Sequence, residues 1–212
     1  TSGTRIGDDE PFHFILYQGD YHPTHNAQQQ GIAIHYQTVI GRSQTHATLV
    51  VSKHTDNYGH SLQLYYTHDN QSDFAHLPHY ITDANGHSYQ LTFTLIDGQP
   101  RLSKLCQIHH IDQPAEILSE YRYSTEGDLT AVYHKGQLVR EFAYTQHLMT
   151  WQRYLTGLEG NYTYDQTDNP ATARVIDHTL NTGQDYRFNY HTDEQGNQHS
   201  TVTEQPGTDM ER

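Results

Sequence analysis

Apolar and polar residues alternate along most of this chain. Tyr89, Leu91, Phe93 and Leu95 fall on one side of an extended strand, opposite Gln90, Thr92 and Thr94. Tyr186, Phe188 and Tyr190 alternate in the same way with Arg187 and Asn189, and Ile32, Ile34 and Tyr36 with Ala33, His35 and Gln37. Leu62, Leu64 and Tyr66 form a further set, and Phe12, Phe14 and Leu16 a weaker one, because Ile15 interrupts its polar side. A period of two is the signature of strands covered on one face and wet on the other. It predicts strands over 32–36, 62–66, 89–95, 142–144 and 186–190. Turn signals separate the runs: Asp56-Asn57-Tyr58-Gly59, Asp83-Ala84-Asn85-Gly86, Asp97-Gly98, Glu126-Gly127-Asp128, Lys135-Gly136 and Asn181-Thr182-Gly183. Asn-Gly and Asp-Gly tolerate the positive φ of tight hairpins, so the pattern predicts an antiparallel meander. Only 114–120 (PAEILSE) has the composition of a short helical turn, and a loop fits it equally.

Aromatic-x-aromatic pairs recur within this pattern. Their second members are Tyr66, Phe93, Tyr123, Tyr144, Tyr164 and Tyr190, at intervals of 20–30 residues. Tyr121, Phe142, Tyr162 and Phe188 stand two residues before Tyr123, Tyr144, Tyr164 and Tyr190. Such a period marks an array of units, none of which buries its apolar face alone. The stretch YRYSTEGDLTAVYHKGQLVREFAY, from Tyr121 to Tyr144, resembles two joined YD repeats of the Rhs (rearrangement hotspot) family. LEGNYTYDQ resembles the next unit, and DYRFNYHTDEQGNQHSTVTEQPGT the one after. The likeness is densest over 118–207, thinner over 65–111 and nearly absent before 31. It divides the chain into a lead-in strand with a polar linker (1–30) and a repeat region (31–212).

The resemblance implies an all-β fold: a curved antiparallel sheet of YD-type hairpins, forming a segment of a hollow β-shell or cocoon. Rhs shells enclose a toxic C-terminal domain, often as effectors of a bacterial type VI secretion system, and Tc-toxin and teneurin proteins use similar repeats. The implied partners are the remaining shell repeats, the enclosed toxin domain and, through other parts of the parent, the type VI machinery. The implied route is synthesis in the bacterial cytoplasm and export without a signal peptide. The DPxGxxxG-like site of aspartyl self-cleavage and the PAAR-type spike module of complete Rhs proteins are not in this sequence. Neither proteolysis nor needle-tip binding is therefore expected of it.

Composition sharpens this picture. The apolar share is 33%, against ~45–50% for ordinary soluble domains. Much of what can be covered is supplied by 17 tyrosines, whose hydroxyls need partners or water. A wall one sheet thick suits these numbers better than a compact globule. The net charge of −13 argues against nucleic acid as a partner, since phosphate binding needs clustered Lys and Arg. No apolar run is long enough for a transmembrane helix, and no charged leader precedes an apolar segment. The chain opens on Thr1, which suggests a processed or partial product, and its last residues, 206–212, suggest an interrupted array. A single cysteine excludes internal stapling.

Candidate chemistry is sparse. Of 18 histidines, His22/His25 near Asp20 and His76/His79 have three-residue spacing, and His109 adjoins His110. H-x-x-H in loops, without H-E-x-x-H or paired cysteines, is a weak metal signal, and surface or turn histidines explain it as well. Cys106 with His109, His110 and Asp112 imitates a thiol triad, but neighbours along one strand do not assemble one. Asp8-Asp9-Glu10 reads as a solvated lead-in, and no P-loop, G-x-S-x-G or G-x-G-x-x-G occurs. The repeat aromatics read as packing residues, with stacking on sugar rings as the alternative. The expected function is therefore a structural shell segment that encapsulates a toxin, with no enzymatic activity, cofactor or metal of its own. A carbohydrate-binding or adhesion module is the alternative, and a His-dependent metalloenzyme a distant third.

Overall fold

The computed structural model describes residues 2–4, 13–19, 31–42, 47–66, 73–110 and 113–204. Every regular element among them is a strand. The chain divides into two compact units, Thr1–Ser119 and Glu120–Arg212. The first holds β1 (Ser2–Thr4), β2 (His13–Gly19), β3 (Gly31–Arg42), β4 (Ala47–Asp56), β5 (Ser61–Tyr66), β6 (Pro78–Thr82), β7 (Ser88–Ile96) and β8 (Gln99–Ile108). β9 (Glu116–Tyr123) runs across the division. The second unit continues with β10 (Leu129–His134), β11 (Gln137–Thr145), β12 (Leu148–Tyr154), β13 (Glu159–Tyr164), β14 (Val175–Leu180), β15 (Asp185–Thr192) and β16 (Gln198–Glu204). Within each unit consecutive strands pair antiparallel, from β1 to β8 and from β10 to β16. The fold is all-β, an antiparallel meander.

All five predicted strands fall inside β3, β5, β7, β11 and β15. The segment read as a helical turn or loop does not behave so, because Glu116–Glu120 lies in β9. Its alternation of Ile117 with Leu118 and Tyr121 was too irregular to register as period two. Phe12, Asp20, His22, His25 and Asp112 lie outside the described residues.

Two kinds of turn make the hairpins. At Asp56, Asp83, Ser124, Tyr154, Leu180 and Asp193 the same pair of backbone bonds recurs. The first residue's N–H donates to the carbonyl four residues on, and the glycine three residues on donates back to the first carbonyl. This is a three-residue loop closed by a residue in the left-handed region, and Gly157 (φ 83°) and Gly183 (φ 90°) supply that conformation without a Cβ clash. The second kind has two residues with positive φ: Asp97-Gly98, Lys135-Gly136 and Gln146-His147. Gln146 (φ 50°) and His147 (φ 66°) do this without glycine, which is why sequence patterning missed them.

Among the described residues no second layer covers the strands of either unit. The buried apolar residues are small or isolated: Ala33, Ile34, Leu91, Cys106, Ala131 and Leu148. Among the described residues no large side chain is fully buried. Stability must therefore come from cross-strand neighbours rather than from a jigsaw core. Gly160 shows how close those neighbours lie. A Cβ there would meet His178 Nε2 at 2.9 Å, and the imidazole occupies that space while stacking on Tyr162 at 4.4 Å between ring centroids. Gly160→Ala should displace the His178 ring and destabilise the chain by about 1–3 kcal/mol, the usual cost of overpacking. Urea unfolding of the two proteins side by side checks this.

Candidate functional site

The feature that repeats with fixed geometry is a tyrosine bonded to its own hairpin. Tyr66 Oη donates to the Val51 carbonyl, Tyr164 Oη to that of Met149 and Tyr190 Oη to that of Val175, each at 2.8 Å and each across 15 residues. The spacing follows from the turn. In all three hairpins the acceptor lies six residues before the first residue of a three-residue loop, and the tyrosine seven residues after its glycine: GHSLQLYY, GLEGNYTY and GQDYRFNY. GHSYQLTF, ending at Phe93, has the same spacing but no hydroxyl for the carbonyl of Pro78. Tyr144 follows the two-residue turn at Lys135-Gly136, lies eight residues after the glycine, and makes no such bond.

A β-bulge accompanies the anchor aromatics Tyr66, Phe93, Tyr144 and Tyr164, and Tyr36 in the first unit as well. The pairing slips by one residue immediately before Tyr36, Tyr66, Phe93, Tyr144 and Tyr164. Their partners there are Val51, Pro78, Leu102, Met149 and Val175. A slip leaves an unpaired residue on the partner strand and bends the pair. Ser52, Ser103 and Thr150 are such extra residues. Each donates its hydroxyl back across the pair, to the carbonyls of His35 (3.2 Å), Thr92 (3.0 Å) and Ala143 (3.3 Å). The arrangement forms a relay in the second unit: Tyr144 faces Met149, whose carbonyl holds Tyr164, which faces Val175, whose carbonyl holds Tyr190.

Register then sorts the second unit into two faces. Phe142, Gln152, Gly160 and Leu180 lie opposite one another in turn, as do Tyr162, His178 and Tyr186. The other face carries charge: Glu141 pairs with Arg153, Trp151 Nε1 donates to Glu159 at 3.4 Å, and Asp177 meets Arg187 at 3.1 Å. Guanidinium groups close the rings of three tyrosines: Arg122 over Tyr133 at 4.4 Å, Arg140 over Tyr154 at 4.3 Å and Arg174 over Tyr190 at 4.6 Å. The repeat aromatics Tyr66, Phe93, Tyr121, Tyr123, Phe142, Tyr144, Tyr162, Tyr164, Phe188 and Tyr190 are all half-buried rather than core. Burial raises the hydroxyl pKa of Tyr66 and Tyr164 above the ordinary 10.0. The neutral, donating form is thus favoured by folding, and its contribution is lost only as pH rises through the higher folded value.

Among the described residues, those proposed for chemistry do not converge. Cys106 is buried in β8, while His109 Nε2 engages Glu116 at 3.0 Å. His79 is the extra residue at the bulge beside Tyr66, its ring edge-on to Phe93 at 6.0 Å, and His76 is exposed. Among the described residues no three His, Cys, Asp or Glu side chains are placed to hold a metal. Several histidines instead cap acidic turn residues. His60 meets Asp56 and His87 meets Asp83, each at 2.9 Å, and His199 meets Asp193 at 2.8 Å. The repeated D-x-x-G spacing of these turns is the sequence signal for that role. His178 is different: its Nε2 is buried without a partner, and desolvation lowers its pKa.

No protein-family model and no curated protein matches this sequence. Among solved structures, the Photorhabdus luminescens Tc holotoxin pore is similar over 93% of this chain, at 10% identity and a TM-score of 0.41. A TcdB2–TccC3 structure is similar over 82% at 15% identity and a TM-score of 0.28. This chain spans 14% and 7% of those two chains. A porin-like protein from Bacteroides uniformis is similar over 94% of this chain and 92% of its own, at 11% identity and a TM-score of 0.37.

Two outcomes follow from the geometry. Tyr164→Phe should cost about 1 kcal/mol, the net worth of one part-buried hydrogen bond, whereas Phe93→Tyr should gain a comparable amount by reaching the Pro78 carbonyl; chemical denaturation of the pair measures both signs. At the turns, His199 and then Asn197 hold the Asp193 carboxyl down at about 2. Folding is therefore favoured above the unfolded carboxylate pKa and that contribution fades as pH falls toward the folded value. Carboxyl NMR titration should find this midpoint, and His199→Ala with Asn197→Ala should return it toward 3.8, the ordinary value.

Proposed function

We propose that this chain is a wall segment of a β-shell built from YD-type repeats, and that the complete shell encloses a toxin domain for export. The observation that carries this reading is the hairpin with one tyrosine tied to a carbonyl 15 residues earlier, used at Tyr66, Tyr164 and Tyr190. A unit that repeats its own internal bond and adds to its predecessor by strand pairing makes surface rather than a pocket. Such a sheet extends by adding hairpins, and among the described residues β16 is paired on one side only. In this reading the chain performs no reaction. It contributes a layer that keeps protease and solvent from the cargo, and a type VI apparatus exports the assembled shell.

The glycan alternative is less well supported. Sugar stacking needs an open aromatic face, yet Tyr133, Tyr154 and Tyr190 carry guanidinium groups on theirs. Tyr162 and His178 are stacked on each other with an interplanar angle of 2°. A lipid-facing barrel needs an outward apolar band. In the second unit one face is crossed by ion pairs, and the other carries Arg140, Gln152 and His178.

The test uses the reading frame that contains this chain, expressed with the domain that follows the repeats. That domain should survive a protease dose that digests it when expressed alone. Replacing Tyr66, Tyr164 and Tyr190 together by Phe should restore its cleavage. A downstream domain cut equally fast with and without the intact repeats would rule out enclosure.

A further inference from the structure

In the second unit almost every guanidinium has found a carboxylate. Arg122 reaches Glu120 at 3.2 Å, Arg174 reaches Asp165 at 3.1 Å, Arg187 reaches Asp177 at 3.1 Å, and Arg153 pairs with Glu141. That outcome is expected in a chain with 25 acidic and 12 basic side chains. Arg140 is the exception. Its guanidinium lies over the Tyr154 ring at 4.3 Å, as those of Arg122 and Arg174 lie over their tyrosines, but among the described residues it has no carboxylate partner. Stacking leaves the edge of the guanidinium, with its forked donors, free to bind in plane.

The same arginine borders an open groove of about 380 Å³ at the end of the β11–β12 pair. β11 projects past β12 here, because Val139 is the extra residue of the bulge at Tyr133 and its carbonyl takes the Leu155 N–H at 2.9 Å. Leu138, Val139 and Leu155 supply an apolar floor, and Leu155 is 56% exposed. Gln137 adds an amide at the rim. Glu141 also lines the groove, but Arg153 takes up its charge.

We propose that this groove binds an acidic peptide segment, with one carboxylate of the ligand forked onto Arg140 and a neighbouring apolar side chain resting on Leu138 and Leu155. The two other arginine-over-tyrosine pairs supply the precedent within the chain: each guanidinium that lies over a tyrosine ring also engages a carboxylate through its Nε. A peptide suits the groove better than a sugar acid, because the ring face of Tyr154 is covered by Arg140 and offers a pyranose no platform. A small free acid would leave the apolar floor wet. The proposal is independent of the shell reading, since it concerns one groove on one unit.

The experiment titrates the intact 212-residue chain with two capped peptides, Leu-Ser-Glu-Ser-Leu and Leu-Ser-Gln-Ser-Leu, following the arginine Nε–Hε resonances by NMR. The glutamate peptide should shift the Arg140 signal and bind about tenfold more tightly than the glutamine peptide. Arg140→Gln should abolish that preference, Arg140→Lys should retain part of it, and Arg187→Gln, on the opposite face, should retain all of it. Equal affinity for the two peptides would overturn the proposal. So would a preference that survives in folded Arg140→Gln or vanishes in Arg187→Gln. Glucuronate binding as tightly as the glutamate peptide would assign the groove to a sugar acid and likewise overturn it.

Discussion

The hydrogen bond from an anchor tyrosine to a carbonyl on the preceding strand is the constraint on which the rest of this structure depends. A single-layer sheet cannot hide its irregularities under a second layer, so each β-bulge leaves backbone groups that local side chains must satisfy. The chain answers twice at the slips before Tyr36 and Tyr144, and once at those before Phe93 and Tyr164. Ser52, Ser103 or Thr150 bonds one carbonyl of the slipped pair, and Tyr66, Tyr164 or Tyr190 bonds that of the residue opposite the bulge at Tyr36, Tyr144 or Tyr164. Because one anchor faces the residue that holds the next, the bend made by one hairpin sets the seat for its successor. Turn length governs the match. A three-residue loop brings the tyrosine over the carbonyl, and the two-residue turn at Lys135-Gly136 does not.

This mode of assembly explains the composition. Tyrosine is the one residue that can cover a half-exposed sheet with its ring and satisfy a stray carbonyl with its tip. The chain has 17 of them, and among the described residues no large aliphatic side chain is fully buried. Arginines cover the ring faces left open, and cross-strand pairs such as Glu141–Arg153 and Asp177–Arg187 occupy the opposite face. Exposed ion pairs of this kind contribute little to stability. Their presence fits a face turned to water, which favours a wall over a lipid-embedded barrel or a glycan platform.

Much of the fold was legible in the sequence, because alternation and turn glycines are direct consequences of strand geometry. The runs at Tyr89–Leu95 and Tyr186–Tyr190 could hardly be anything else. The anchor tyrosines were visible as a recurrence, but their intervals of 20–30 residues obscured the rule that matters. That rule is the distance from the turn glycine: seven residues at Tyr66, Phe93, Tyr164 and Tyr190, and eight at Tyr144. Bulges carry no simple sequence mark, so the roles of Ser52, Ser103 and Thr150 could not be read. The strand at Glu116–Tyr123 was missed because PAEILSE contains good helix formers. Arg140 was missed because an unpaired guanidinium is defined only by what the fold fails to bring near it.

The most direct measurement is the exchange of tyrosine hydroxyl protons with water, followed by NMR at low temperature. The account predicts that the Oη protons of Tyr66, Tyr164 and Tyr190 are retained long enough to be observed, each with a close contact to the acceptor strand at Val51, Met149 or Val175. The outward-facing Tyr65 and Tyr80, 44% and 41% exposed, should exchange too fast to detect. Equally rapid exchange at all five hydroxyls would contradict the claim that these bonds hold the hairpins together.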